Sequence, residues 1–126
     1  MAGVAAMYVM GAVLAVKADR ENDYLEMAKW MNALFLEHGA LEIAENWEDD
    51  VPDGEQTDFR RAVAAEKDEK IVFSWITWPD KATHDAAHAK IMADERMNDI
   101  PADMPFDGKR MIYGGFRTIY HASKGD

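Results

Sequence analysis

The run IVFSWITW, Ile71 to Trp78, holds no charge and lies between the Lys-rich turn before it and Pro79. Side chains alternate across a strand, so Ile71, Phe73, Trp75 and Thr77 share one face and Val72, Ser74, Ile76 and Trp78 the other. Both faces are apolar. A strand of this kind is covered on both sides. Val-rich Tyr8 to Val16 behaves alike, with Met7, Val9, Gly11 and Val13 opposed to Tyr8, Met10, Ala12 and Leu14. So does the last apolar run, Met111 to Tyr120, where Ile112, Phe116 and Tyr120 oppose Met111, Tyr113 and Ile119.

Between these strands the spacing changes. After Asp19, a candidate N-cap, Tyr24, Met27, Met31, Leu34, Phe35 and His38 recur at three and four residues, one face of an amphipathic helix. Gly39 stands where a left-handed C′ residue ends such a helix. Leu41 to Trp47 reads as a second strand, its alternation blurred at Ala44 and Glu45. Glu48 to Asp58 is a solvated acidic loop. Phe59 to Ala65 reads equally as a short strand or a helical turn. A second helix starts at Asp80 or Thr83 and runs to about Met97. A loop with Pro101 and Pro105 leads into the last strand. Residues 1–6 are expected to be a flexible extension, 7–121 one domain, and 122–126 a flexible tail.

The order βαβ(β)βαβ predicts a ferredoxin-like α+β sandwich: an antiparallel sheet with two helices on one face. Two helices cover one face only. The simplest cover for the other is a second copy of the chain, sheet on sheet, related by a two-fold axis and forming a closed or nearly closed barrel. The alternative is a monomer whose loop from Asn98 to Lys109 folds over that face.

Composition narrows the function classes. The chain has 126 residues, 48% of them hydrophobic and 30% charged, as in a globular domain. It has no cysteine, which excludes disulfides and thiol chemistry. Its net charge of −10 argues against nucleic acid and against an anionic membrane surface. The apolar start lacks a basic n-region and an evident cleavage site, and its run from Met7 to Val16 is too short to span a bilayer. A cytoplasmic protein is expected.

HGALE (His38 to Glu42), DVPDG (Asp50 to Gly54), VFSW (Val72 to Trp75), MAD (Met92 to Asp94) and DMPFDGKRMIYGGF (Asp103 to Phe116) resemble the YbaA-like bacterial family. The resemblance runs from Met7 over nearly the whole chain; MAGVAA lies outside it. It implies a member of the dimeric α/β-barrel superfamily, hence a ferredoxin-like protomer and a two-fold dimer. It implies no activity. His84 and His88 depart from the polar, non-His residues expected there.

Several side chains are candidates for chemistry. His84 and His88 lie four apart on a predicted helix, the spacing of a zinc pair, but Asp replaces the usual Glu and no third ligand stands at a motif spacing. They are read as a partly exposed pair, and no metal or cofactor is expected. The acidic loop departs from a calcium loop at Val51 and Arg60. His38 is either a cap gaining from the helix dipole or an acid–base group in a cavity. Ser74 is a buried hydroxyl without a nucleophile elbow around it. The four Trp and nine Met suit either an ordinary core or an adaptable ligand wall.

PFDGKRMIYGGF concentrates special residues. Asp107–Gly108 reads as a turn that brings Asp107 to Arg110, either as an ion pair fixing the loop or as an anion-binding lip. Gly114 and Gly115 inside a strand read as a bulge or a close approach. The expected function is therefore a homodimer binding a small organic molecule between helices and sheet, near His38, Trp75, Arg110 and Tyr113. Two alternatives stand beside it. One is a cofactor-independent oxygenase or isomerase with His38 or His88 as base and Tyr113 or Arg110 stabilising an oxyanion. The other is a structural dimer without a pocket.

Overall fold

The computed structural model describes residues 7–125; the expected N-terminal extension, residues 1–6, lies outside them. The chain is α+β, with a four-stranded antiparallel sheet. β1 (Tyr8–Lys17) leads through a 3-10 turn (Ala18–Arg20) into α1 (Glu21–Glu37). β2 (Glu42–Trp47), a four-residue helix α2 (Phe59–Ala62), β3 (Glu69–Trp78), α3 (Lys81–Met92), a 3-10 turn (Glu95–Asp99) and β4 (Ile112–Arg117) follow. The strand order is β2-β3-β1-β4. The two long apolar strands are thus central, and the short ones take the edges.

Local chemistry sets the boundaries. α1 ends at Gly39, whose φ of +112° is the left-handed conformation that glycine adopts without strain. An added Cβ there would also lie 2.8 Å from Thr83 Cγ2. Asp19 does not cap α1: it sits inside the 3-10 turn, and Arg20 occupies the cap position without a side-chain bond. Arg20 instead donates to Asp23 Oδ2 and to the Met104 carbonyl, tying the helix start to the loop before β4. Asp80 caps α3 by accepting from the Thr83 amide at 2.7 Å. α3 stops at Met92 rather than Met97, because Asp94 accepts from the Arg96 amide and opens a new turn. Residues 59–62 are helical, with Asp58 as N-cap.

The register defines two faces. On one, Leu14, Val16 and Val72 pack against Tyr24 and Ala28 of α1, and Ile76 and Trp78 pack near Ala87 of α3. Phe106 and Met111 close the same side. The loop before β4 therefore serves the helix face and does not cover the other one, contrary to the monomer alternative. The opposite face is covered at one end only, where Val63, just after α2, packs on Ala15 and Ile71.

Three rows of that second face are largely open, although Thr77 is buried and Phe59 leans on Phe73: Glu42, Thr77, Val9 and Phe116; Ala44, Trp75, Gly11 and Gly114; Asn46, Phe73, Val13 and Ile112. Phe73, Ile112 and Phe116 are exposed there. β4 is shorter than expected, so Ile119 and Tyr120 lie beyond it, 81% and 80% exposed.

The glycine pair has a simple cause. β1 and β4 pair without interruption from Tyr8↔Arg117 to Val13↔Ile112, so there is no bulge. Each glycine seats an aromatic ring instead. On the open face Phe116 lies across Gly114 and Gly11, with Cε2 3.4 Å and 3.9 Å from the Cβ each would carry. On the helix face the Tyr8 ring occupies the space over Gly115, its hydroxyl only 1.7 Å from an added Cβ. Gly108, by contrast, has open space and no positive φ, so its turn does not require glycine.

Gly115→Ala is therefore expected to destabilise the fold by about 1–3 kcal/mol, because the rigid Tyr8 ring has to leave its seat. Gly108→Ala is expected to stay within about 0.5 kcal/mol of the parent. Urea unfolding of the two variants side by side checks the contrast.

Candidate functional site

The helix face of the sheet is not fully packed. Between it, α1, α3 and the loop before β4 lies a cavity of about 250 Å³. Its floor follows from the register. One cross-strand row reads Glu45, Ser74, Ala12 and Tyr113, from β2 to β4. With neighbouring strands about 4.8 Å apart, this polar row spans roughly 14 Å. Apolar rows flank it: Trp47, Val72 and Leu14 on one side, Ile43, Ile76 and Met10 on the other. Ala12, the smallest side chain of the row, leaves the room. Met27, Met31, Phe35, Trp78 and Phe106 supply walls, and the exposed His88 and Tyr113 also line the space.

The polar end is a built network. Tyr24 Oη donates to Glu45 Oε1 at 2.6 Å. Asn32 Nδ2 and Ser74 Oγ each donate to Glu45 Oε2 at 3.1 Å. All three donors are neutral. Burial and the bond to the carboxylate push the Tyr24 phenol far above its usual range, so it stays a donor. Trp78 adds an open valence: the residue is 1% exposed, and its Nε1 has no hydrogen-bond partner among the described residues. A buried donor without an acceptor costs about 1–3 kcal/mol.

The residues singled out by sequence divide between this cavity and other places. Tyr113 and His88 line it, and so do His84 and Ser74. The rings of His84 and His88 stack with centroids 6.0 Å apart. His84 also meets Trp78 edge-on and engages Asp85 Oδ1 at 2.8 Å. Trp75 is on the open sheet face, beside Phe73, and not in the cavity. His38 sits at the end of α1 beside Glu37 and Asp94, outside the cavity lining. That triad brings its ligand-type atoms within 4.8 Å of one another, but Arg96 donates to both Glu37 and Asp94 and already supplies their positive charge.

Arg110 is likewise committed within the chain. Its guanidinium grips Glu69 in a fork, at 2.7 and 2.8 Å, and also donates to Asp107 Oδ2 and the Ala64 carbonyl. Asp107 and Gly108 form the expected turn, with the Arg110 amide donating to the Asp107 carbonyl at 3.1 Å and Lys109 N to Asp107 Oδ1. The clamp joins the loop before β4 to the start of β3, and is not an anion-binding lip. Glu69 is 3% exposed. The Arg110 fork, against the opposing effect of burial, holds its carboxyl from 4.5 down to about 2.

Glu45 was missed by sequence reasoning, though a signal existed. It shares the apolar phase of β2 with Ile43 and Trp47, so a carboxylate there faces the core. Tyr24 and Asn32 become partners only through packing of α1 on β2.

The Glu69 clamp has a pH signature. A carboxyl with a depressed folded pKa stabilises above its unfolded value and loses that contribution as pH falls through the folded one. Arg110→Gln is expected to cost about 3 kcal/mol at neutral pH, since it strands a buried carboxylate. The gap from the parent should narrow as pH falls from 4.5 toward 2. Unfolding midpoints across that range measure it.

Comparison with known proteins places the chain. Residues 7–108 match the family described as "Protein of unknown function (DUF1428)". The proteins named "Uncharacterized protein YbaA" of Escherichia coli strain K12, of Escherichia coli O157:H7 and of Shigella flexneri are each 57% identical to it over 112 residues. Those alignments cover 89% of this chain and 96% of each relative. This chain belongs to the DUF1428 family.

Proposed function

We propose that the protein is a two-fold homodimer of ferredoxin-like protomers that binds a small organic molecule in the cavity between helices and sheet. One observation carries the ligand reading: the row Glu45, Ser74, Ala12, Tyr113 lies on the floor of a largely apolar cavity, and a buried Trp78 N–H in its wall has no acceptor among the described residues. A few placed polar groups in an aromatic, Met-rich hollow are the usual make-up of a small-molecule site. A structural dimer without a pocket would have a filled interior. The enzyme reading keeps His88, which lines the cavity with His84 and Glu45, and loses His38 and Arg110.

The dimer reading rests on the open face. Its twelve rowed positions include one ionisable side chain, Glu42 at the β2 edge. For a chain of net charge −10, this neutral patch is where a second copy approaches with least repulsion. Exposed Phe73, Ile112 and Phe116 give each copy the same apolar surface, as a two-fold interface requires. Joining two such sheets makes the barrel.

Sedimentation equilibrium should give twice the chain mass of 14.2 kDa, and Phe116→Asp should give single chains with an unchanged far-ultraviolet spectrum. A parent protein that sediments as a monomer contradicts the dimer. Native mass spectrometry of protein purified from its own host should show extra mass per subunit, lost in Ala12→Phe, which fills the cavity floor. Identical ligand-free masses for both contradict the binding reading.

A further inference from the structure

The chemistry of the cavity says which ligands it takes. Glu45 accepts three hydrogen bonds, all from uncharged donors: Tyr24, Asn32 and Ser74. A carboxylate offers about four acceptor positions, so roughly one is left. No Lys or Arg lines the cavity; its two basic side chains are His84, which engages Asp85, and His88, and neither pairs with Glu45, which forms no ion pair among the described residues. Two other inward carboxylates are paired with guanidinium groups. Glu69 has Arg110, and Glu48 has Arg60 at 3.0 Å. Among the acids that line the cavity, Glu45 stands alone, held by dipoles and left without a cation among the described residues.

We infer that the cavity binds a small organic cation, an amine with an apolar or aromatic body, whose ammonium group completes the shell of Glu45. The three neutral donors orient the carboxylate and leave its charge uncompensated, so a cation gains where an anion is repelled. The surrounding walls fit the rest of such a ligand. Tyr24, Phe35, Trp78 and Phe106 present aromatic surfaces, and ring faces attract ammonium groups. Met10, Met27 and Met31 adapt to the body's shape. The chain's net charge of −10 raises the local concentration of cations and lowers that of anions. Ala12 sits between Ser74 and Tyr113 on the floor, where the body of the ligand lies.

This inference rests on the cavity being a binding site, and its test separates the two claims. Phenethylamine, 2-phenylethanol and phenylacetate share one body and differ in the charge of one group. Each is titrated into the intact protein by calorimetry, with the Trp78 indole N–H resonance as a site-specific readout. The amine is expected to bind at least about tenfold more tightly than the alcohol, because only the ammonium brings a full positive charge to the carboxylate, with the acid weakest. Glu45→Gln should remove the amine's advantage, so that the variant binds the amine no more tightly than the alcohol. Equal binding of all three, or an amine preference that survives Glu45→Gln, overturns the cation while the binding cavity stands. Binding of none overturns both. The comparison of the three compounds needs no variant, so it holds even if Glu45→Gln fails to fold.

Discussion

The whole structure depends on one pairing, the ten-residue antiparallel register of β1 with β3. Both strands are apolar on both sides, and burying apolar area is the largest favourable contribution to folding. Placing them at the centre of the sheet leaves it with two apolar faces. α1 and α3 supply one layer. The other face receives Val63 over Ala15 and Ile71 at one end, and three largely open rows remain. The two faces thus acquire different roles: one encloses a cavity, and the other presents a neutral apolar surface.

The cavity exists because the helix layer is not complementary to the sheet everywhere. Ala12 is small where its neighbours in the row are polar, and the side chains above it are long and flexible, Met27 and Met31 among them. Protein interiors are close-packed, so a hollow of about 250 Å³ with a carboxylate in its lining is costly unless something occupies it. Three donors are aligned on Glu45, and the Trp78 N–H has no partner among the described residues. The Arg110–Glu69 clamp shapes the same site from outside. It fixes the approach to β4, and β4 carries Tyr113.

How much of this the sequence revealed depended on the range of the interaction. Local signals read well apart from Asp19, which was expected to cap α1 and lies inside the 3-10 turn. Gly39 ends α1 and Asp80 caps α3, because each acts within a few residues. The apolar run Ile71 to Trp78 announced a central strand of the sheet, which β3 is. Long-range signals did not read. Gly114 and Gly115 suggested a bulge or a close approach; there is no bulge, and what approaches Gly115 is the ring of Tyr8, far away in the chain. Arg110 was expected to meet Asp107, three residues away, and does; its stronger partner, Glu69, lies 41 residues back. Trp75 and His38 were grouped with Tyr113 by residue type, and strand phase and helix position separate them. Glu45 was taken as a blur in a strand pattern, although its phase with Ile43 and Trp47 already pointed it inward.

The most direct test is a crystal structure of the protein purified from its own host, with no ligand added. The account predicts two copies related by a two-fold axis across the Phe73, Trp75 and Phe116 face, and non-protein density in the cavity in contact with Glu45. A solvent-exposed sheet face in every copy, together with a cavity closed by its own methionine side chains, would contradict it.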